Sequence, residues 1–195
     1  MKNIDWVIVG LGNPEERHLY NRHNIGFICI ERLASKHAIA INESKFDSRV
    51  GYGKIGDVSC ILVKPQTYMN KSGVAVEQII KVLGLHPSNL IVIADDISLS
   101  IGSLRIRLNG SSGGHKGLNS IIESLESIDF ARVKIGAGIP PKGVALEEWV
   151  VMDFEDKLAP LLFEVIENAC KAIELMVGGK CDIAMSRYNH INKEG

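Results

Sequence analysis

The chain predicts an α/β fold: one three-layer α/β/α domain over residues 1–195, built on a twisted, mixed and mostly parallel sheet. Three observations carry this. Short apolar runs alternate with stretches whose apolar residues recur at three- and four-residue spacing, the pattern of strands covered by helices. The run Trp6 to Val9 is apolar throughout, as expected where both faces of a sheet are buried. One pair of runs is separated only by Gly56-Asp57, which adds an antiparallel hairpin to the alternation.

Each element follows from its residues. Trp6 to Val9 is a short apolar strand, and the loop Gly10 to Gly26 follows it. Asn24 is a candidate N-cap for a helix over about 25–37, where Phe27, Ile28, Leu33 and Ala34 form the apolar side. Arg49 to Ile55 and Val58 to Lys64 make the hairpin, and Pro65 stops its second strand. Gln66 to Asn70 hands over to a helix from Ser72 to Leu83, with Gly84 at the C′ position. Leu90 to Ala94 is the most strand-like segment and ends in Asp95-Asp96. Leu104 to Leu108 is a further strand, followed by the glycine-rich stretch 109–117 and a helix over about 118–125. Ala131 to Ile139 is the last strand, closed by Pro140-Pro141. Residues 144–156 read as irregular and acidic; a long amphipathic helix then runs from Leu158 through Met176 to Gly178-Gly179.

Composition narrows the function classes. Of 195 residues, 46% are hydrophobic and 23% charged, the values of an ordinary globular domain. Cys29, Cys60, Cys170 and Cys181 are widely spaced with no CxxC pair, which points to reduced thiols and against structural zinc. No apolar run reaches the length of a membrane span and no basic leader opens the chain, so a cytoplasmic protein is expected. The net charge of −1 conceals a basic middle and an acidic stretch after it. Arg105, Arg107, Lys116, Arg132, Lys134 and Lys142 fall in the first; Glu147, Glu148, Asp153, Glu155 and Asp156 fall in the second.

Strand alternation puts Arg105 with Arg107, and Arg132 with Lys134, on one side of their strands. A basic face of this kind suits a phosphate backbone. The loops after strands hold the candidate chemistry, and in a mostly parallel sheet they converge on one edge. The first offers Asn13 and His23, the second Asn70, the third Asp95 and the fourth His115. A histidine backed by a carboxylate is the simplest water-activating pair, so His23 with Asp95 is the candidate base. Neutral carboxamides such as Asn13 and Asn70 can grip a peptide backbone or donate to an oxyanion. No serine stands in a GxSxG elbow, so direct attack by water on an activated acyl bond is favoured over a covalent nucleophile. A dinucleotide fingerprint in GLGNP fails twice. Glu15 occupies the third glycine position, and Glu31, the acid about 20 residues on, falls in a helix.

Six motifs in order resemble the bacterial peptidyl-tRNA hydrolases: GLGNP, RHNIG at 22–26, QTYMNKSG at 66–73, Asp95-Asp96, GGHKGLNSI at 113–121 and ARVKIGAG at 131–138. The resemblance implies a monomeric esterase of the cytosol that uses no metal and no cofactor. Its substrate would be peptidyl-tRNA, cleaved between the peptide carboxyl group and the terminal ribose. By position His23 would be the base and Asp95 its orienting carboxylate. Asn13 and Asn70 would hold substrate and water, with Tyr68 beside them. Arg107 and Lys134 would clamp the tRNA 5′-phosphate, with Arg105 and Arg132 as neighbours. The chain departs from the family pattern at Glu15 for glycine, His18 for tyrosine and Lys116 for asparagine; His18 and Lys116 remain candidate substrate contacts. The competing reading is a non-catalytic RNA-binding relative. It would keep the fold and the basic face but lose His23 or Asp95, and both are present.

Overall fold

A computed structural model describes residues 3–15 and 20–192. Seven strands form one sheet in the order β2-β3-β4-β1-β5-β7-β6. They are β1 (Trp6–Gly10), β2 (Glu43–Lys45), β3 (Ser48–Ile55), β4 (Val58–Pro65), β5 (Leu90–Asp96), β6 (Leu104–Arg107) and β7 (Ala131–Gly136). The four central strands β4, β1, β5 and β7 run parallel. Antiparallel partners flank them, the β2–β3–β4 meander on one side and β6 on the other.

Alternation along the central strands sorts the core into two layers. Ile8, Leu62, Ile91, Ile93 and Val133 face α1 (Ile25–Lys36), α5 (Ala159–Val177) and α6 (Cys181–Tyr188). Val7, Val9, Ile61, Val63 and Val92 face α2 (Ser72–Leu83) and α3 (Lys116–Leu125). Burial on both sides explains the apolar runs Val7–Val9, Ile61–Val63 and Leu90–Ala94. Cys29, Cys60 and Cys170 lie buried as free thiols.

The hairpin forms around Gly56-Asp57 as the sequence predicts, and Gly84 ends α2 in the left-handed region at φ 64°. Three features lack a strong sequence signal. β2 is only three residues long, and α6 has a weakly apolar face. A short helix, α4 (Leu146–Val150), occupies the stretch expected to be irregular. Downstream of α6 the chain covers the outer edge of β6: Ile106 N–H donates to Asn189 Oδ1 at 2.6 Å, and Leu104 pairs with His190. The sheet edge is thereby closed to further strand addition.

The close approach of α1 to β1 sets up the site. A Cβ at Gly26 would stand 2.5 Å from the Leu11 carbonyl oxygen and 2.6 Å from that of Ile93, and one at Gly10 would meet the Gly26 carbonyl at 2.2 Å. Only glycine lets the helix start this near the carboxyl ends of β1 and β5. The 3₁₀ turn Arg22–Asn24, just ahead of α1, is thereby brought over the end of β5.

Candidate active site

The carboxyl ends of β1, β4, β5 and β7 share one edge of the sheet, as parallel strands must. Asp95, near the end of β5, is 3% exposed. His23 Nδ1 lies 2.6 Å from Asp95 Oδ1, and His115 Nε2 lies 2.9 Å from the same oxygen. The two imidazoles stand 5.0 Å apart, centroid to centroid.

His115 fixes the proton arrangement. It is the N-cap of α3, and its Nδ1 accepts from the N–H groups of Gly117 at 3.1 Å and Leu118 at 3.3 Å. An acceptor nitrogen carries no proton in neutral imidazole, so the proton of His115 sits on Nε2 and is donated to Asp95. The shared carboxylate oxygen then accepts from His23 Nδ1–H as well, which leaves His23 Nε2 as a free lone pair. Burial alone would raise the Asp95 carboxyl, but the attraction of His115 and the bonds from both imidazoles hold it well below the usual carboxylate range. His23, Asp95 and His115 also bring their ligand atoms within 4.8 Å of one another. A metal on His115 Nε2, however, would require that ring to give up its proton or both helix N–H bonds.

The fourth loop reaches Asp95 by a route different from the other three. β6 runs antiparallel to β7, so it ends with Arg107 opposite Arg132, at the far end of the sheet from Asp95. The glycine-rich stretch must therefore climb along β7. Arg132 is 1% exposed and donates from its guanidinium to the carbonyls of Gly110, Phe130 and Ile128. One step up, Lys134 Nζ lies 3.3 Å from where a Cβ on Gly113 would be, and His115 then meets Asp95. The expectation that Arg132 contacts phosphate is corrected on this ground: the side chain is a buried strut under the loop. Lys134 is half-buried and paired with Asp96 at 3.1 Å, and Asp96 also accepts from the N–H and hydroxyl of Ser98. Of the other two arginines, Arg107 is exposed and Arg105 half-buried on the same face of β6.

His23 and Asp95 open into a cavity of about 320 Å³. Met69, Ile97, Val150 and Val151 supply apolar wall, while Lys116 and Lys134 supply ammonium groups. α4 forms one side. Arg22, next to His23, holds that side in place: its guanidinium bonds the carbonyls of Ala137, Met152 and Asp153 and stacks 3.9 Å from the centroid of the Trp149 ring. Trp149 Nε1–H donates in turn to the Gly138 carbonyl at 2.8 Å. The wall and the turn carrying His23 are thus one unit.

Asn24 makes no capping bond to α1, contrary to expectation. Its carboxamide instead accepts from Asn13 N–H at 2.7 Å and donates to the Asn13 carbonyl at 3.0 Å. That clamp holds the backbone of Asn13 and leaves its side chain uncommitted among the described residues. Asn70 and Tyr68 sit exposed on the 3₁₀ turn Met69–Lys71 and its N-cap, where only Met69 lines the cavity. Lys116 borders the cavity from the first turn of α3. His18 lies outside the described residues.

Sequence reasoning noticed His115 but gave it no role, and it missed Arg22 and Asn24 as supports. The available signal was the run Arg22-His23-Asn24, three polar residues in a row ahead of an apolar helix, all of them buried in the fold.

A protein-family model described as peptidyl-tRNA hydrolase matches residues 7–195. The chain belongs to this family. A peptidyl-tRNA hydrolase of Syntrophomonas wolfei is 45% identical over 94% of this chain and 99% of its own. One of Exiguobacterium is 43% identical over 93% of this chain and 98% of its own. The crystal structure of peptidyl-tRNA hydrolase from Acinetobacter baumannii superposes with a TM-score of 0.90 at 33% identity, covering 98% of this chain and 97% of the other. The mixed α/β sheet is thus that of the family. Among the described residues no helix is long and apolar enough to cross a membrane.

Proposed function

We propose that this protein hydrolyses the ester between the peptide carboxyl group and the terminal ribose of peptidyl-tRNA, with His23 as general base. Family membership supports the reaction class. The observation that carries the mechanism is the doubly bonded Asp95 oxygen, which assigns the proton of His23 to Nδ1 and leaves Nε2 open to a water. His23 Nε2 takes a proton from that water as its oxygen attacks the ester carbonyl carbon. The negative charge of ionised Asp95 stabilises the imidazolium so formed. Collapse of the tetrahedral intermediate breaks the bond to the ribose oxygen, which leaves with the proton held on Nε2. The products are a peptide carboxylic acid and tRNA with a free hydroxyl.

The uncommitted carboxamide of Asn13 and the exposed Asn70, with Tyr68, serve to hold the peptide and the attacking water. Arg107, with Arg105 beside it, faces the tRNA phosphate backbone, and Lys134 contributes from inside the cavity. We further propose that residues 1–195 act as one domain, as a monomer in the cytoplasm, without metal or cofactor. The test is release of an N-acylated amino acid from tRNA by wild type and His23→Ala, with a metal chelator present. Loss of about 10²–10⁴-fold in the variant, with tRNA binding retained, is expected. Equal rates would remove His23 as the base. Binding without release by wild type would favour a non-catalytic RNA-binding protein.

A further inference from the structure

Two ammonium groups border the cavity, and each is paired with a carboxylate. Lys134 is bound to Asp96 at 3.1 Å, with the two side chains only 15% and 10% exposed. Lys116 Nζ lies 3.5 Å from Glu147 Oε1, with side chains 61% and 71% exposed. The pairs differ in what it takes to open them. Removing a partner from a buried pair leaves a charge without water or counter-charge. An exposed pair is weak, because both groups are solvated when apart.

The exposed pair spans the cavity. Lys116 follows His115, whose ring is bonded to Asp95, so its backbone is set beside the reacting groups. Glu147 stands opposite on α4, which the Trp149 ring anchors through its bond to the Gly138 carbonyl and its stacking on Arg22. Rotation of the Glu147 side chain into solvent is enough to release the ammonium, with no movement of the helix.

We infer that Lys116 binds a phosphate of the nucleic-acid substrate, and that Glu147 is an internal competitor which occupies Lys116 until that phosphate displaces it. This rests on the proposed tRNA substrate. The exchange is one oxyanion for another on the same –NH₃⁺ group, with no bond made or broken. Phosphate is favoured because it arrives with further backbone contacts, whereas Glu147 brings one weak contact. The competition also disfavours small anions, which lack those additional contacts.

The experiment measures dissociation constants for deacylated tRNA from about 50 to 300 mM salt, with wild type, Glu147→Gln, Lys116→Asn and the double variant. Glu147→Gln is expected to tighten binding about two- to fivefold at the lowest salt, the scale of an exposed ion pair. Lys116→Asn weakens binding and lowers the salt slope by about one. In the double variant Glu147→Gln has no further effect. If Glu147→Gln leaves binding unchanged or weakens it, or if its gain persists in the Lys116→Asn background, the inference fails. In the latter case the gain is only the loss of a general repulsion. Because deacylated tRNA is the probe, the result is independent of hydrolysis. A cycle that holds while wild type releases no amino acid overturns the hydrolytic reading alone. A cycle that fails beside normal release overturns the inference alone, and absence of tRNA binding overturns both.

Discussion

At the scale of single residues, His115 has two duties that a substitution can separate. Its Nδ1 caps α3 and its Nε2–H orients Asp95. Asparagine is a good N-cap, so His115→Asn keeps the helix start and removes the bond to the carboxylate. We expect kcat for N-acyl-aminoacyl-tRNA to fall about tenfold or more, the scale of a lost bond to a charged group. The melting temperature stays close to that of wild type. A drop in melting temperature with kcat unchanged would reduce His115 to a cap. Asp95 itself was legible as a candidate partner for His23 from its residue type and its place at the end of an apolar strand, although turn chemistry also favours aspartate there. That its oxygen serves two imidazoles was not legible, since His23 and His115 lie 92 positions apart and only the fold brings them 5.0 Å from each other.

At the scale of elements, the stretch between β6 and α3 depends on Arg132. The backbone carbonyls of Gly110, Ile128 and Phe130 all accept from this one guanidinium. Arg132→Met retains much of the packing on Phe130 but removes those three hydrogen bonds. A loss of about 2–3 kcal/mol in unfolding free energy is expected by urea titration. A clamp residue would instead show its effect in the salt slope of tRNA binding, which this variant leaves as in wild type. Strand alternation correctly placed Arg132 on the same side of β7 as Lys134. What it could not convey is that the chain returns over that side, and so turns an expected surface charge into a buried one. The same limit applies to α4, where five residues give too short a period to read and the helix is held by tertiary contacts from Arg22 and Trp149.

Across the whole molecule, the buried carboxylate ties stability to pH. The folded carboxyl of Asp95 titrates below its unfolded value of about 3.9. Its stabilising contribution is therefore fully present above that value and is lost as pH falls through the lower folded one. Urea unfolding of wild type and Asp95→Asn over a pH series should show a wild-type advantage that persists down to about pH 4 and shrinks below it. An advantage unchanged to the lowest pH would mean that the carboxylate charge does not stabilise the fold. The separation of charge along the chain also becomes spatial. Arg105 and Arg107 stand on the edge strand β6, while the acidic stretch forms and follows the α4 wall, where Glu147 meets Lys116.

The sequence by itself determined the α/β class and the helix and strand order of the main elements. These follow from local periodicity; His23 with Asp95 was a candidate pair from residue type and from the family resemblance, and the fold brings the two side chains to 2.6 Å. Only the tertiary structure decided which polar residues work and which support. Asn24 holds a backbone instead of capping its helix, Arg132 is buried under a loop, Lys134 is tied to Asp96, and Lys116 faces Glu147. Each of these depends on what lies across a few ångströms from a residue distant in the chain. A side chain's own type does not specify that neighbour; the antiparallel turn of β6 and the close start of α1 on β1 do.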